Sequence, residues 1–139
     1  MTVHGAASGF AQDIVAGGHD LRSDEPVAAG GGDTGPTPYD LLLAALGSCT
    51  SMTLAMYARR KEWPLTGVTV RLRHFRMHAG DCGACEGQDV KLDVIERRIA
   101  LEGSLDEAQR SRLLEMANRC PVHRTLTSGI DIRTQLSEP

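Results

Sequence analysis

The residues of this chain best suited to chemistry are two cysteines far apart in sequence, Cys49 and Cys120. Cys49 follows Leu42-Leu43-Ala44-Ala45-Leu46-Gly47-Ser48. Cys120 follows Leu113-Leu114-Glu115-Met116-Ala117-Asn118-Arg119 and precedes Pro121-Val122-His123-Arg124. Each closes an apolar stripe at helical spacing and precedes residues able to open a fresh helical turn. A thiol at a helix start meets unsatisfied N–H groups and the positive end of the helix dipole, which favour the nucleophilic thiolate. Either residue also reads as a small buried hydrophobe, since free cysteine is among the most buried residue types. Gly47-Ser48 sets Cys49 apart: glycine costs about 1 kcal/mol in a helix centre, and the pair predicts a kink exposing N–H groups near the sulfur. Cys120-Pro121 is more specific. Proline cannot sit inside a helix without removing a hydrogen bond. The helix should therefore break near Cys120 and restart with Pro121, leaving the N–H groups of Val122 and His123 free to point back at the sulfur. His123 and Arg124 add positive character.

A second constellation is His74-x3-His78-x3-Cys82-x2-Cys85. Strand geometry would put His74 and His78 on one face, and four such ligands within twelve residues suit a metal ion. The spacing is compressed relative to zinc fingers and no second knuckle exists. A redox reading of Cys82-Gly83-Ala84-Cys85 is poor, because no helical pattern follows it. His4, His19 and Arg22 read as surface groups. No Walker loop, dinucleotide fingerprint or Gly-x-Ser-x-Gly elbow is present.

The elements that must position these residues follow from patterning. The 139 residues suit one domain, 1–139, and aromatics at 4% leave the core to aliphatic side chains. A net charge of −3 argues against nucleic acid as a partner. The longest uncharged stretch, Leu41 to Ala58, contains Gly47, Ser48, Thr50, Ser51 and Thr53 and reads as a buried helix rather than a membrane span. No membrane partner is expected. Met1-Thr2-Val3-His4-Gly5 has neither a basic head nor an apolar run, so free thiols in the cytoplasm are the expectation.

Phe10–Ala16 and His19–Ser23 around Gly17-Gly18 predict a strand, a turn and a strand. Gly30-Gly31-Gly32-Asp33-Thr34-Gly35-Pro36 is the strongest breaker cluster. Thr37 then caps a long helix with Pro38 at its first position, running to about Lys61 and ended by Trp63-Pro64. The i, i+3, i+4 rule places Leu42, Ala45, Cys49, Met52 and Met56 on its buried stripe, and the nearly all-apolar circumference near Cys49 predicts a central helix. Val68–His74 and Val90–Val94 alternate as strands of a hairpin with the Cys82/Cys85 loop at its tip. Ser104 and Glu107 form a predicted capping box for a second helix burying Leu105, Ala108, Leu113, Met116, Ala117 and Cys120. Ile130–Thr134 reads as a last strand.

Gly35-Pro36-Thr37-Pro38-Tyr39-Asp40-Leu41-Leu42, Ala44-Ala45-Leu46-Gly47-Ser48-Cys49-Thr50 and Cys120-Pro121-Val122-His123-Arg124-Thr125-Leu126 together resemble the OsmC family, which includes osmotically inducible protein C and the organic hydroperoxide resistance proteins. The likeness covers nearly the whole chain, in order. It implies an α+β fold with two long central helices packed against curved antiparallel sheets, and an intertwined homodimer with active sites at the subunit interface. It further implies a peroxidase of organic hydroperoxides or hydrogen peroxide, serving oxidative stress defence. Cys49 would attack the peroxide and become a sulfenic acid, and Cys120 would resolve it as a disulfide. No cofactor is implied, only a thiol reductant such as a dihydrolipoyl group. Family peroxidases pair the thiolate with an amino-terminal arginine, for which Arg22 is the candidate, and with a glutamate where this chain has Tyr39. The chain is more similar to an OsmC-like branch also found behind α/β-hydrolase domains. The alternative is a metal- or small-molecule-binding module using His74, His78, Cys82 and Cys85, without peroxidase activity.

Overall fold

The computed structural model describes residues 1–78 and 91–136. The chain divides into two compact units, Met1–Ala44 and Ala45–Pro139. In the first, strands β1 (Thr2–Gly5), β2 (Gln12–Ala16) and β3 (His19–Ser23) form an antiparallel sheet in that order. Gly17 and Gly18 join β2 to β3 with φ of 59° and 83°. Two successive left-handed residues make the turn whose twist matches a hairpin, and glycine adopts that conformation without penalty. The β2–β3 hairpin is as the sequence predicts. β1 is an addition, too short and too weakly patterned to be read from Thr2-Val3-His4-Gly5.

Asp24 organises the glycine-rich loop of this unit. Its side chain is almost wholly buried and accepts hydrogen bonds from the N–H groups of Gly32 (3.1 Å) and Thr34 (3.2 Å) and from the Thr34 hydroxyl (2.8 Å). The Thr34 hydroxyl, with the loop N–H groups, holds its carboxyl below the usual carboxylate range despite burial.

Helix α1 (Pro38–Arg60) begins in the first unit and runs through the second. Thr37 and Asp40 cap it reciprocally: Asp40 N–H donates to Thr37 Oγ1 (3.1 Å), and Thr37 N–H donates to Asp40 Oδ2 (3.0 Å). At the other end, Trp63 N–H donates to Ala58 O (2.9 Å) and Glu62 N–H to Arg59 O (3.1 Å). This is a Schellman closure with Glu62 in the left-handed position, φ 55°. Trp63 then turns back onto Tyr57, edge to face at 5.6 Å. By length and composition α1 could cross a membrane, and 28% of its most apolar window is buried.

The face of α1 that is buried differs from the expected one. Leu46, Gly47, Thr50, Thr53, Leu54 and Ala58 are buried, whereas Met52 and Met56 are exposed. Counting apolar side chains misplaces the stripe because Thr50 and Thr53 satisfy their own hydroxyls, donating to Leu46 O and Cys49 O at 2.7 Å each. A threonine so satisfied is buried at little cost. α1 is therefore covered along one face rather than enclosed, a correction to the expectation of a central, wholly buried helix.

Strands β4 (Leu65–His78) and β5 (Lys91–Gly103) pair antiparallel from Leu65↔Gly103 to His78↔Lys91, as the alternation predicts. Residues 79–90, including Cys82 and Cys85, lie outside the described residues. Val68, Ile99 and Leu101 of this hairpin pack with Leu54 and Ala58 of α1 and with Leu105, Leu113 and Ala117. Helix α2 (Glu107–Ala117) is capped by Asp106 in a reciprocal box with Gln109, not by Ser104 and Glu107. Leu105 is buried just ahead of the cap, which places the helix start two residues later than predicted, and Ala108 is exposed. Helix α3 (Pro121–Thr127) follows directly. The second helical region is thus two short helices broken at Cys120-Pro121, and among the described residues α1 is the long helix. Residues 130–136 form no strand. Ile130 and Ile132 stand exposed, and an isolated strand without a ladder partner is not stable.

A non-glycine residue in the left-handed region costs about 1 kcal/mol. Glu62→Gly should therefore raise stability in urea unfolding by roughly that amount, with no change in the hydrogen bonds that end α1.

Candidate active site

The site forms where the middle of α1, the inner face of β5 and the α2–α3 junction meet in the second unit. Cys49 lies in the interior of α1, not at a helix start, and α1 is continuous through Gly47-Ser48. The glycine serves close approach rather than a kink: a Cβ at Gly47 would lie 2.9 Å from Leu72 Cδ1 of β4. Cys120 is the N-cap of α3 with Pro121 in the first turn, as the sequence predicts, and is fully buried. Cys49 is half-buried, which makes it the more accessible sulfur.

The two thiols, both free, lie close enough to shift one another's ionisation. Burial pushes the Cys49 thiol up, and its contact with Cys120 pushes it further, against smaller opposing effects of the Val122 N–H and the Thr53 hydroxyl. Burial also pushes Cys120 up. Hydrogen bonds from Cys49, the His123 N–H, the Thr50 hydroxyl and the Val122 N–H outweigh it and leave this thiol below the usual range. The two thiols are thus coupled, with Cys49 shifted up and Cys120 shifted down. The Val122 and His123 N–H groups point back at the sulfur as expected. The N–H reaching Cys49 belongs to Val122 of α3, not to a kink in α1.

Sequence reasoning missed Arg97. It lies on β5 between Ile95 and Ile99, opposite Leu72 in register, and so faces inward. Its neighbours Glu96 and Arg98 face outward, where Glu96 pairs with Arg73 at 2.6 Å and with Arg98 at 3.4 Å. The half-buried guanidinium of Arg97 donates to Thr50 Oγ1 (2.8 Å), Ala117 O (3.2 Å) and Asn118 Oδ1 (3.0 Å). Burial lowers its pKa, and the charge of Cys120 raises it. A basic residue at an inward position of an alternating strand was the available signal.

A cleft of about 590 Å³ adjoins this cluster. Leu46, Ile95, Ile99, Leu114 and Leu126 give it apolar walls, and Asp93, Arg97, Asn118, His123 and Thr127 give it polar ones. A second cleft, of about 550 Å³, lies along Ser51, Ala55 and Arg59 and includes no group that touches either sulfur.

The remaining candidates fall elsewhere. Arg22 sits on β3 in the first unit, opposite Asp13 in register and 3.4 Å from its carboxylate. Tyr39 is at the start of α1, half-exposed and without a carboxylate. His74 Nε2 is 2.8 Å from Asp93 Oδ1, which Arg76 also reaches at 3.1 Å. His74 and Arg76 hold the Asp93 carboxyl below its usual range. Of the expected metal set, Cys82, Cys85 and the side chain of His78 lie outside the described residues. Among the described residues no group of three potential ligands occurs.

Residues 30–135 match the family model for OsmC-like protein. No curated protein matches the chain by sequence. Among solved structures, the chain is similar to a putative osmotic stress induced and detoxification response protein from Psychrobacter arcticus (20% identity, TM-score 0.68, covering 88% of this chain and 84% of that one). It is also similar to an organic hydroperoxide resistance protein OsmC from Legionella pneumophila (16%, 0.65, 94% and 89%) and to the organic hydroperoxide resistance protein OhrB of Bacillus subtilis (19%, 0.63, 94% and 90%). At these identities the likeness to solved structures speaks for the mixed helix-and-sheet fold. With the family model spanning most of the sequence, the chain belongs to the OsmC family.

Proposed function

We infer that this chain is a single-domain, thiol-dependent peroxidase that reduces organic hydroperoxides or hydrogen peroxide in oxidative stress defence. The observation that carries this reading is the proximity of the half-buried Cys49 to the buried Cys120, each of which shifts the other's ionisation. A disulfide needs alpha carbons within about 7 Å, and two thiols near enough to perturb one another need little rearrangement to join.

In this mechanism peroxide approaches Cys49, the sulfur nearer solvent. The Cys49 proton passes toward the Cys120 sulfur as Cys49 attacks the terminal peroxide oxygen. The S–O bond forms, the O–O bond breaks, and the departing alkoxide takes the proton from the Cys120 sulfur and leaves as alcohol, which frees Cys120 to attack. Cys120 then attacks the Cys49 sulfenic sulfur. The S–S bond forms, and hydroxide leaves. A dithiol reductant of the dihydrolipoyl type restores both thiols by exchange, and no cofactor takes part. The apolar walls of the adjoining cleft suit an organic peroxide, and the hydroperoxide resistance proteins among the structural relatives favour the same class. The family's glutamate is absent here, and the N–H of Val122 supplies a donor at Cys49 instead. The setting proposed is the cytoplasm, where thiols stay reduced.

The protein is further proposed to work as a homodimer with its sites at the subunit interface. Supporting this, Met52 (70% exposed) and Met56 (58%) lie on the uncovered face of α1, and Ala45 and Ser48 share it. An exposed apolar stripe on a long helix calls for a cover. Ile130 and Ile132 offer further unburied apolar surface.

One equivalent of tert-butyl hydroperoxide should convert the protein to a Cys49–Cys120 disulfide, seen by peptide mass spectrometry. Cys49→Ser should abolish peroxide consumption, and Cys120→Ser should leave a trappable Cys49 sulfenic acid. Oxidation at Cys82 with Cys49 still a free thiol would end this reading. In sedimentation the wild type should run as a dimer. Met52→Glu/Met56→Glu should dissociate it, whereas a monomeric wild type would remove the dimer proposal.

A further inference from the structure

Arg97 joins the two backbone segments that carry the cysteines. It stands on β5 opposite Leu72 of β4, and this cross-strand pair straddles Cys49. Leu72 lies against Gly47, just before Cys49: a Cβ on that glycine would come to 2.9 Å from Leu72 Cδ1. Arg97 grips Thr50, the residue after Cys49, its Nη1 donating to Thr50 Oγ1 at 2.8 Å. The same nitrogen donates to Ala117 O at 3.2 Å, and that carbonyl also accepts the Cys120 N–H at 3.4 Å. The other arm, Nη2, donates to Asn118 Oδ1 at 3.0 Å. One guanidinium thus spans from the neighbour of Cys49 to the turn that ends in Cys120.

The parts of this clamp are held firmly. Thr50, Ala117 and Cys120 are fully buried. Thr50 gives its own proton to Leu46 O at 2.7 Å, which leaves its oxygen free to accept from Arg97. A guanidinium is planar, and its donors form a rigid fork. Acceptors on both sides of that fork fix where it sits, and with it the spacing of α1 from the end of α2. Such spacing matters here because a disulfide forms only within a narrow range of separations and angles.

We propose that Arg97 is a positioning residue that fixes the approach of Cys49 to Cys120, so that oxidised Cys49 is trapped as a disulfide before a second peroxide reaches it. The trapping step rests on the peroxidase reading above; the clamp itself does not. In that step the Cys120 sulfur forms the S–S bond while the S–O bond of the Cys49 sulfenic acid breaks, and hydroxide leaves to solvent. The oxidant is the peroxide already consumed by Cys49. A resolving sulfur held in place shortens the life of the sulfenic acid and so limits its further oxidation.

The test equilibrates the full chain carrying Cys82→Ser and Cys85→Ser with reduced and oxidised glutathione, and measures the Cys49–Cys120 disulfide by mass spectrometry. Arg97→Met and Thr50→Val should each lower the equilibrium constant for disulfide formation about tenfold, or about 30 mV in reduction potential. Thr50→Ser keeps the hydroxyl and should stay near the wild type. Arg97→Lys keeps the charge without the fork and should fall with Arg97→Met. A side chain that only stabilised the fold would shift urea unfolding and leave this equilibrium in place. After peroxide, Arg97→Met should increase dimedone-trapped Cys49 sulfenic acid about tenfold. An equilibrium unmoved by both Arg97→Met and Thr50→Val, in variants with wild-type circular dichroism, would overturn the proposal, as would Arg97→Lys at the wild-type value. If Arg97→Met fails to fold, Thr50→Val compared with Thr50→Ser decides by the same criterion. Should peroxide leave both wild-type thiols intact, the peroxidase reading falls while the glutathione equilibrium still decides the role of Arg97.

Discussion

The closeness of two sulfurs, Cys49 and Cys120, is the constraint around which the second unit of this protein is arranged. Two thiols in contact cannot both ionise freely, because the second negative charge meets the first at close range. They share one charge, and its location depends on the donors each sulfur receives. Cys120 has the Thr50 hydroxyl and the N–H groups of Val122 and His123. Cys49 has a share of the Val122 N–H and the Thr53 hydroxyl. The fold thereby gives the two sulfurs different settings, more access at Cys49 and more donors at Cys120.

The surrounding elements serve this contact through ordinary means. Pro121 ends the preceding helix and frees the N–H groups that a continuous helix would have consumed. Gly47 lets α1 come within reach of Leu72 on the hairpin, which draws β5 and its Arg97 toward the thiols. Thr50 fills a buried helical position while keeping a hydroxyl available to bond. Arg97 ties the carbonyl end of α2 to α1 and holds the junction that carries Cys120. Each of these residues would be a liability in isolation, a helix breaker, a weak helix former, a buried hydroxyl or a buried charge. They are tolerated because each meets a partner at the same place.

Much of this was legible in the sequence. The break at Cys120-Pro121, the long helix from Pro38, the β4–β5 hairpin and the Gly17-Gly18 turn follow from local chemistry, and local chemistry is what a sequence states openly. The buried face of α1 was not legible, because burial of Thr50 and Thr53 depends on hydroxyls that satisfy themselves within the helix. The cap of α2 was misplaced by two residues because two overlapping boxes, at Ser104 and Asp106, compete, and the burial of Leu105 selects the second. Arg97 was passed over among the charged residues of Glu96-Arg97-Arg98, although its inward parity on the strand distinguishes it. Ile130–Thr134 alternates like a strand, but a strand is a property of a pair, and among the described residues it has no partner. At the site, residue type and motif identified the two cysteines. The distribution of charge between them needed the three-dimensional set of donors.

The account is tested most directly by titrating the thiolate absorbance of the protein carrying Cys82→Ser and Cys85→Ser, with Cys49 and Cys120 intact. A shared charge predicts two separated steps, one proton leaving below the ordinary cysteine value of about 8.5 and the other above it. Two thiols titrating together near that value would show that the sulfurs do not hold a charge in common, and would contradict the arrangement described here.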